Sequence, residues 1–458
     1  MMEIIVSNKI ELQNVPTIFG RIIKDRLSLP NPKYSEAVKM HRWTGNIPEV
    51  LRFYQETKGG LIVPRGFARQ LLALATQTET SCEIIDQRRT LPEVYFSFCG
   101  SLREYQREAV QDVLSHDFGV LDAPTGSGKT TMALAVIAER KQPTLIVVHT
   151  KELLQQWIDR ACQFLGMEPE EIGIIGNGKR QIGDRLTIAL VQSLFKCSDE
   201  IRGKIGCLIA DEVHHCPSRT FSEAVSAFDC RFMLGLSATP YRRDGLSKLI
   251  HWHIGDQVHS IDKERLIQEG SILKPEIVTR ETGFFSSYNL AEEYSKGLSE
   301  LTRNTSRNAM IAGDVVDYLQ KNDGPVVLLS DRKSHCDMLA GMLTDQGIKA
   351  GTLTGDLSNA KRKEAVEKIR AGEFQTIVAT GSLLGEGFDL PSLNALFMAT
   401  PIRFSGRVLQ YIGRILRPSK GKYRAVIYDY CDSREPVLAN AARARARVYV
   451  NNDETERI

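Results

Sequence analysis

A chain of 458 residues has room for about three domains, and 42% hydrophobic with 25% charged residues is the balance of an ordinary soluble globular protein. No apolar run approaches the ~20 residues that cross a bilayer, and the opening MMEIIVSNKIELQNV lacks the basic stretch and long apolar core of a secretory leader, so neither a membrane protein nor a secreted one is expected. The net charge of +3 names no partner by itself, and nine cysteines without a C-x-x-C pair point to reduced thiols in a cytoplasmic setting.

The first stretch, residues 1–95, has no alternation of strand and helix patterns and reads as a small α+β domain. Within residues 21–70, ten Lys or Arg face four acids, with Tyr34, Trp43, Phe53, Tyr54 and Phe67 interleaved. Concentrated positive charge gains affinity for a polyanion by releasing counterions, and aromatics stack on exposed bases, so a DNA-recognition domain is one reading. A solvated basic face over an aromatic core is the other, and the residues leave both open.

From residue 96 the rhythm changes. FGVLDAP reads as a strand, KTTMALAVIAER as a helix, TLIVVHT as a strand and KELLQQWIDRACQFL as an amphipathic helix. LTIALVQSL, CLIADEV and RFMLGLSATP continue the series to about residue 255. Apolar strands alternating with helices predict a parallel sheet covered on both faces. The pattern returns over 301–435 with GPVVLLSD, QTIVATG, NALFMATP and YRAVIYDY, separated by helical segments such as NAKRKEAVEKIRAG. Residues 256–300 read as a linker with small strands. Residues 436–458 read as a C-terminal tail whose Arg443, Arg445 and Arg447 suit a solvated helix end.

The segment DAPTGSGKTT follows a strand and opens a helix, the context that gives a G-x-G-K-T match its meaning. Gly126 and Gly128 let backbone N–H groups turn inward around phosphate oxygens, with Thr125 and Ser127 before and between them. Lys129 neutralises the β- and γ-phosphates, and the Thr130 hydroxyl suits Mg2+. The first glycine of the general phosphate-loop pattern is Ala123 here.

LIADEVHHCP, Leu208 to Pro217, admits two readings. Asp211, His214, His215 and Cys216 sit close enough in sequence to suggest a metal cage. Beside a phosphate loop, however, an apolar strand ending in Asp211-Glu212 is where a nucleotide site needs its acids: Asp211 to hold Mg2+ through water, Glu212 to polarise the attacking water. Adjacent histidines point in different directions in a regular element, and no C-x-x-C partner exists, so the ATP site is preferred over zinc. His214 is then a coupling residue, bonded to the segment SATP that carries Ser237 and Thr239.

In order along the chain, APTGSGKT, DEVH, SATP and QYIGRILRP resemble motifs I, II, III and VI of the superfamily-two helicases, spanning residues 102 to 418. The resemblance implies two RecA-like parallel-sheet domains in tandem behind the N-terminal domain, with ATP and Mg2+ as cofactors. SLREYQREAV looks like the segment before motif I in the branch of XPB and the phage UvsW helicase, which assigns Arg103 and Gln106 to the adenine. LGLSATPYRRDG is similar to the same branch, although Arg242-Arg243-Asp244 stands where XPB relatives carry R-E-D. The front of the chain, with NPKY, TG and VPRGF, resembles phage helicases of the UvsW kind.

Carried over residue by residue, the family pattern places Arg414 and Arg417 at the γ-phosphate and Gln410 near the same site. Three apart on one helix, the two arginines share a face. Gly387 and Asp389, in GEGFD, resemble motif V, between nucleotide and nucleic acid. Thr150, Lys151, Gln192, Ser193, Gly355 and Thr380 would grip phosphate oxygens, which fix register without reading sequence, although a threonine ending a strand is commonly a helix cap. The function implied is an ATP-dependent DNA helicase that unwinds or branch-migrates forked and Holliday-like DNA, working as a monomeric motor. A double-strand translocase and an ATP-gated clamp are the competing readings, and RNA is not excluded as a partner. If phage-encoded, the chain would act in the host cytoplasm.

Overall fold

The computed structural model describes residues 1–450 except 214–218, 239–245, 356–363, 366, 370, 382–391, 403–410, 414 and 420–421, and leaves aside the side chains of residues 219, 220, 448 and 450. Half of the helical segment 359–372 lies outside the described residues. The chain divides into two compact units, the first running to Ile261 and the second from Asp262, with the three loop residues Thr125–Ser127 grouped with the second.

The first unit opens with β1 (Met2–Val6), β2 (Lys9–Gln13), β3 (Ser28–Pro30), β4 (Val50–Arg52), β5 (Gln55–Thr57), β6 (Gly60–Pro64) and β7 (Cys82–Asp86). These build a five-stranded sheet of order β5-β6-β2-β1-β7 and a separate antiparallel pair, β3-β4. Burial along β1 and β6 alternates residue by residue, the signature of a sheet with one covered face. The helices Thr17–Arg26 and Ala68–Gln77 supply the cover through Phe19, Ile23, Leu71 and Leu74.

This N-terminal layer shares its core with the rest of the first unit. Leu249 and Trp252, from the helix Lys248–Ile254, are buried in the same cluster as Ile10, Leu12 and Phe67. Phe53 lies against the Trp252 indole with ring centroids 5.4 Å apart. Gly66 comes so close to that helix that a Cβ would sit 2.1 Å from the His251 carbonyl oxygen, so only glycine fits. Arg65, 2% exposed, donates to the Cys230 carbonyl at 2.8 Å and to Met233 Sδ at 3.1 Å, with its guanidinium over the Phe118 ring. Asp117 and Asp229 take up Arg88 and Arg89.

The remainder of the unit is an eight-stranded sheet of β8 (Phe118–Asp122), β9 (Thr144–Val148), β10 (Ile172–Gly176), β11 (Lys179–Gln181), β12 (Leu186–Leu190), β13 (Cys207–Ala210), β14 (Phe232–Ser237) and β15 (Gln257–Ser260), in the order β11-β10-β12-β9-β13-β14-β8-β15. Only the β10–β11 pair is antiparallel. All residues of β9, β12 and β13 are buried, as continuous apolar runs require when helices cover both faces.

The second unit holds a six-stranded parallel sheet of β16 (Pro275–Glu281), β17 (Val326–Ser330), β18 (Ala350–Leu353), β19 (Thr376–Thr380), β20 (Ala395–Met398) and β21 (Ala425–Cys431), ordered β16-β21-β20-β17-β19-β18. The stretch read from sequence as a linker therefore contributes an edge strand to each parallel sheet, β15 to one and β16 to the other. Half-polar and mostly uncovered, such strands carry little apolar signal, because an edge strand is covered less than a central one.

Two buried ion pairs tie helices to the second sheet. Arg307 donates to Asp432 at 2.9 Å and to the Ala399 carbonyl at 2.6 Å. Arg445, on the helix Pro436–Val450, donates to Asp429 at 2.7 Å, and the Tyr449 hydroxyl joins at 2.9 Å. Arg443 and Arg447 face solvent, but Arg445 is 3% exposed, which corrects the expectation of a solvated helix end at that position. The i, i+2 spacing of the three arginines turns the middle one to the other side of the helix, a difference that composition alone hides.

Below β17 lies a closed polar chain. Ser330 Oγ donates to His335 Nδ1 at 2.9 Å, and His335 Nε2 donates to Asn308 Oδ1 at 2.9 Å, the one tautomer that satisfies both partners. Burial, then the Arg307 charge, holds this imidazole's pKa down to about 3, against 6.5 ordinarily. The unfolded chain therefore binds a proton that the folded one refuses, and stability falls as pH drops from about 6.5 towards 3. The expected slope from this group is at most about 1.4 kcal/mol per pH unit. Denaturant unfolding of the second unit between pH 7 and pH 4 measures it, and His335→Gln should flatten that slope.

Candidate nucleotide site

In a parallel sheet all strands end on one side, and ligands bind outside those carboxyl ends. Here β9, β13, β14 and β8 are consecutive neighbours, so four motif-bearing ends lie side by side: Thr150 after β9, Asp211 after β13, Ser237 closing β14 and the phosphate loop after β8. Backbone bonds join them. Ala123 N–H donates to Ser237 O at 2.9 Å, and Asp211 N–H donates to Val147 O at 3.0 Å.

The loop between β8 and the helix Lys129–Arg140 has Gly126 at φ +93° and Gly128 at φ +88°, conformations L side chains rarely adopt. Ser127 between them is fully buried. Lys129 heads the helix, and its Nζ donates to the Ala123 carbonyl at 2.9 Å, across the start of the loop. Thr130 comes next in the first helical turn, half-buried.

Asp211, 7% exposed, accepts the Trp157 indole N–H on Oδ2 at 2.8 Å and the Glu212 N–H on Oδ1 at 2.9 Å. Burial chiefly, then the Glu212 charge, pushes this carboxyl up to about 6, while the Trp157 bond and Lys129 oppose the shift. Glu212 itself has φ +51°. A glutamate in the left-handed region is a strained choice that the surrounding bonds must hold in place.

Arg103 and Gln106 bracket the start of the helix Glu104–Leu114. Gln106 Oε1 accepts the Arg103 N–H at 2.9 Å, and Gln106 is 7% exposed. Its Nε2 lies 2.4 Å from where a Cβ on residue 128 would stand, so this side chain packs on the phosphate loop. Thr150 caps the helix Lys151–Leu165, its hydroxyl accepting the Leu153 N–H at 3.3 Å, with Lys151 exposed beside it. Gln192 is exposed and Ser193 half-buried on the short helix Val191–Leu194.

In the second unit, Gly355 is exposed beyond β18, with nothing among the described residues within 4 Å of a Cβ. Thr380 closes β19 and is 8% exposed. Arg417 is half-buried, and its charge, after burial, lowers the pKa of the neighbouring Lys422 to about 7. His214, Thr239, Gly387, Asp389, Gln410 and Arg414 lie outside the described residues, as do His215 and Cys216.

One contributor escaped sequence reasoning. Trp157 reads as the apolar face of an amphipathic helix, which it is, and only the fold brings its N–H to Asp211. As for an ion, the oxygen donors of Thr130 and Asp211 are the hard ligands Mg2+ prefers, and each Asp211 oxygen keeps lone-pair capacity beyond its single donor, so these residues fit the metal.

The family descriptions "Type III restriction enzyme, res subunit" and "Helicase conserved C-terminal domain" match residues 100–242 and 310–419. The DNA 3'-5' translocase XPB2 of Sulfurisphaera tokodaii is 30% identical over 349 residues, covering 69% of this chain and 78% of that one. The chain belongs to the superfamily-two helicases. "Probable helicase D10" of Escherichia phage T5 is 24% identical to this helicase over 452 residues, covering 98% of one and 95% of the other. The crystal structure of the Pyrococcus furiosus Hef helicase domain superposes with a TM-score of 0.50 at 15% identity over 75% of this chain and 98% of that one, a likeness of fold.

Gly128→Ala should be costly whatever the ligand, because the backbone strain and the Gln106 contact add. A loss of about 1–3 kcal/mol in unfolding free energy is expected by denaturant titration. A change below a few tenths would mean that the loop and Gln106 move apart freely.

Proposed function

We propose that this helicase is an ATP-driven DNA motor that unwinds or branch-migrates forked DNA. The observation that carries the reading is the row of four strand ends, which sets Lys129, Asp211-Glu212 and Ser237 beside one another, with Thr150 and Lys151 next in line. The phosphate loop supplies N–H groups and an ammonium to the β- and γ-phosphates. Glu212 polarises the attacking water. Mg2+, held by Thr130 and Asp211, would neutralise charge on the same phosphates. Arg417 and Arg414 keep the family role of meeting the γ-phosphate, where charge grows in the transition state. Arg103 and Gln106 keep theirs at the adenine end, and Gly387, Asp389 and Gln410 theirs along the nucleotide.

Thr150, Lys151, Gln192 and Ser193 in the first unit, and Gly355 and Thr380 in the second, serve as phosphate grips. Nucleotide binding and release that change the two sets unequally convert hydrolysis into steps, since a ligand shifts only what it binds differentially.

The N-terminal layer supports DNA as the track. Trp43 is 83% exposed, and its ring lies over Gly45, where a Cβ would stand 2.1 Å from it. Val38, Met40 and Val50 are also exposed, among the exposed Lys33, Lys39, Arg42 and Arg52. A bare indole among cations is suited to stacking on an unpaired base at a fork. The archaeal relative's name favours a second reading, a translocase that moves along duplex without parting it.

ATPase stimulation by single strand, duplex, fork, four-way junction and RNA, alongside fork displacement, separates these readings. Stimulation by duplex without displacement would favour the translocase. Lys129→Ala should abolish turnover while DNA binding persists, and Glu212→Gln should bind nucleotide yet hydrolyse it at least about 100-fold more slowly. Full turnover in either variant would refute the site. Trp43→Ala should weaken fork binding more than single-strand-stimulated ATPase, measured by anisotropy and phosphate release; equal effects would count against the stacking role. Removing the whole N-terminal layer is the poorer test, because it would uncover Leu249 and Trp252.

A further inference from the structure

The helix Lys151–Leu165 meets two functional groups that sequence treats separately. Its first residue and cap, Lys151 and Thr150, are two of the four phosphate grips proposed above for the first unit. Its buried face carries Leu154, Trp157, Ile158, Ala161 and Leu165. Trp157, 1% exposed, donates its indole N–H to Asp211 Oδ2 at 2.8 Å. Six residues separate Lys151 from Trp157, about 9 Å of rigid helix.

Core packing alone does not explain a tryptophan there. A phenylalanine would fill much of the same space without a donor, whereas a buried indole N–H needs an acceptor and a buried carboxylate needs donors. With Glu212 N–H on Oδ1 and Trp157 on Oδ2, the Asp211 carboxylate has each oxygen restrained by one bond. A small shift of the helix would turn that carboxylate, because one of its two restraints travels with the helix. The cap does not compete with grip: Thr150 Oγ1 accepts from Leu153 N–H, which leaves its own O–H to donate to a phosphate.

We propose that Trp157 is a positioning residue that couples nucleic-acid engagement at Thr150 and Lys151 to the orientation of the Asp211 carboxylate. The proposal rests on the motor reading above, in which Thr150 and Lys151 hold the strand and Asp211 serves Mg2+. Strand binding draws the helix into one position, the indole moves with it, and Asp211 is set for the metal. Without the strand, packing of the buried face alone sets the helix, and the Asp211 carboxylate is restrained less tightly.

The variant Trp157→Phe keeps an aromatic ring and removes the donor. In the full chain, the half-saturating Mg2+ concentration for oligothymidine-stimulated ATPase should rise roughly 10-fold, the usual scale for losing a partner behind a metal ligand. The stimulated kcat should fall while KM for ATP stays within about twofold, since the phosphate loop is untouched. A purely structural role would instead lower thermal stability and leave the Mg2+ requirement alone.

A measurement on the unaltered chain stands even if the variant fails to fold. Of the three tryptophans, Trp43 is exposed and Trp252 lies in the N-terminal core, so the Trp157 indole N–H resonance can be assigned with the help of Trp43→Phe. That resonance should shift when oligothymidine is added without nucleotide or Mg2+. An unmoved Trp157 resonance on saturating oligothymidine overturns the coupling, as does a folded Trp157→Phe variant with wild-type Mg2+ dependence and stimulation. If the unaltered chain shows no stimulation by any nucleic acid, the motor reading itself fails and the coupling goes with it; the two failures are thus told apart by the unaltered chain.

Discussion

Everything in the first unit depends on how a parallel sheet lines up its strand ends. Because β9, β13, β14 and β8 run in the same direction as immediate neighbours, their carboxyl ends form one row. The crossovers that make such neighbours possible put helices on both faces, so β9 and β13 are wholly buried and their polar chemistry is confined to the ends. A buried carboxylate such as Asp211 is tolerable only because the row supplies donors: an indole from one side and its own neighbour's amide from the other. The strained Glu212 and the two positive-φ glycines of the loop sit on that same row.

The N-terminal layer belongs physically to this unit. Its core includes Leu249 and Trp252, and Gly66 admits the helix Lys248–Ile254 at backbone distance. Arg65 is unusual in being buried on carbonyl, sulfur and aromatic partners, and burial accordingly lowers its pKa. Such a contact gives little by charge pairing and much by geometry: a planar guanidinium fits one arrangement of Cys230, Met233 and Phe118 and no other. Whatever the Trp43 surface binds is therefore held by the body that carries the phosphate loop's helix.

In the second unit the polar interior is arranged differently. Arg307–Asp432 and Arg445–Asp429 each close with further bonds from a carbonyl or a tyrosine, the condition under which a buried pair recovers its desolvation cost. The chain Ser330–His335–Asn308 underlies the turn at Asp331-Arg332, whose N–H groups are taken by Thr400 and Ser330.

Sequence by itself determined the fold class and marked out the candidate nucleotide end. Continuous apolar strands can only be buried between helices, and a glycine loop ending in Lys129-Thr130 has few uses other than phosphate. Local pattern also placed the strands and helices around those motifs, since side-chain period and capping are near-neighbour effects. What it could not supply were partnerships between distant segments. That Arg445 turns inward, that β15 and β16 complete sheets, that the N-terminal layer is bolted on through Arg65, and that Trp157 serves Asp211 across 54 residues were decided only when the chain closed on itself. The reason is physical: a buried polar group is identified by the partner that makes its burial affordable, and that partner lies elsewhere in the sequence.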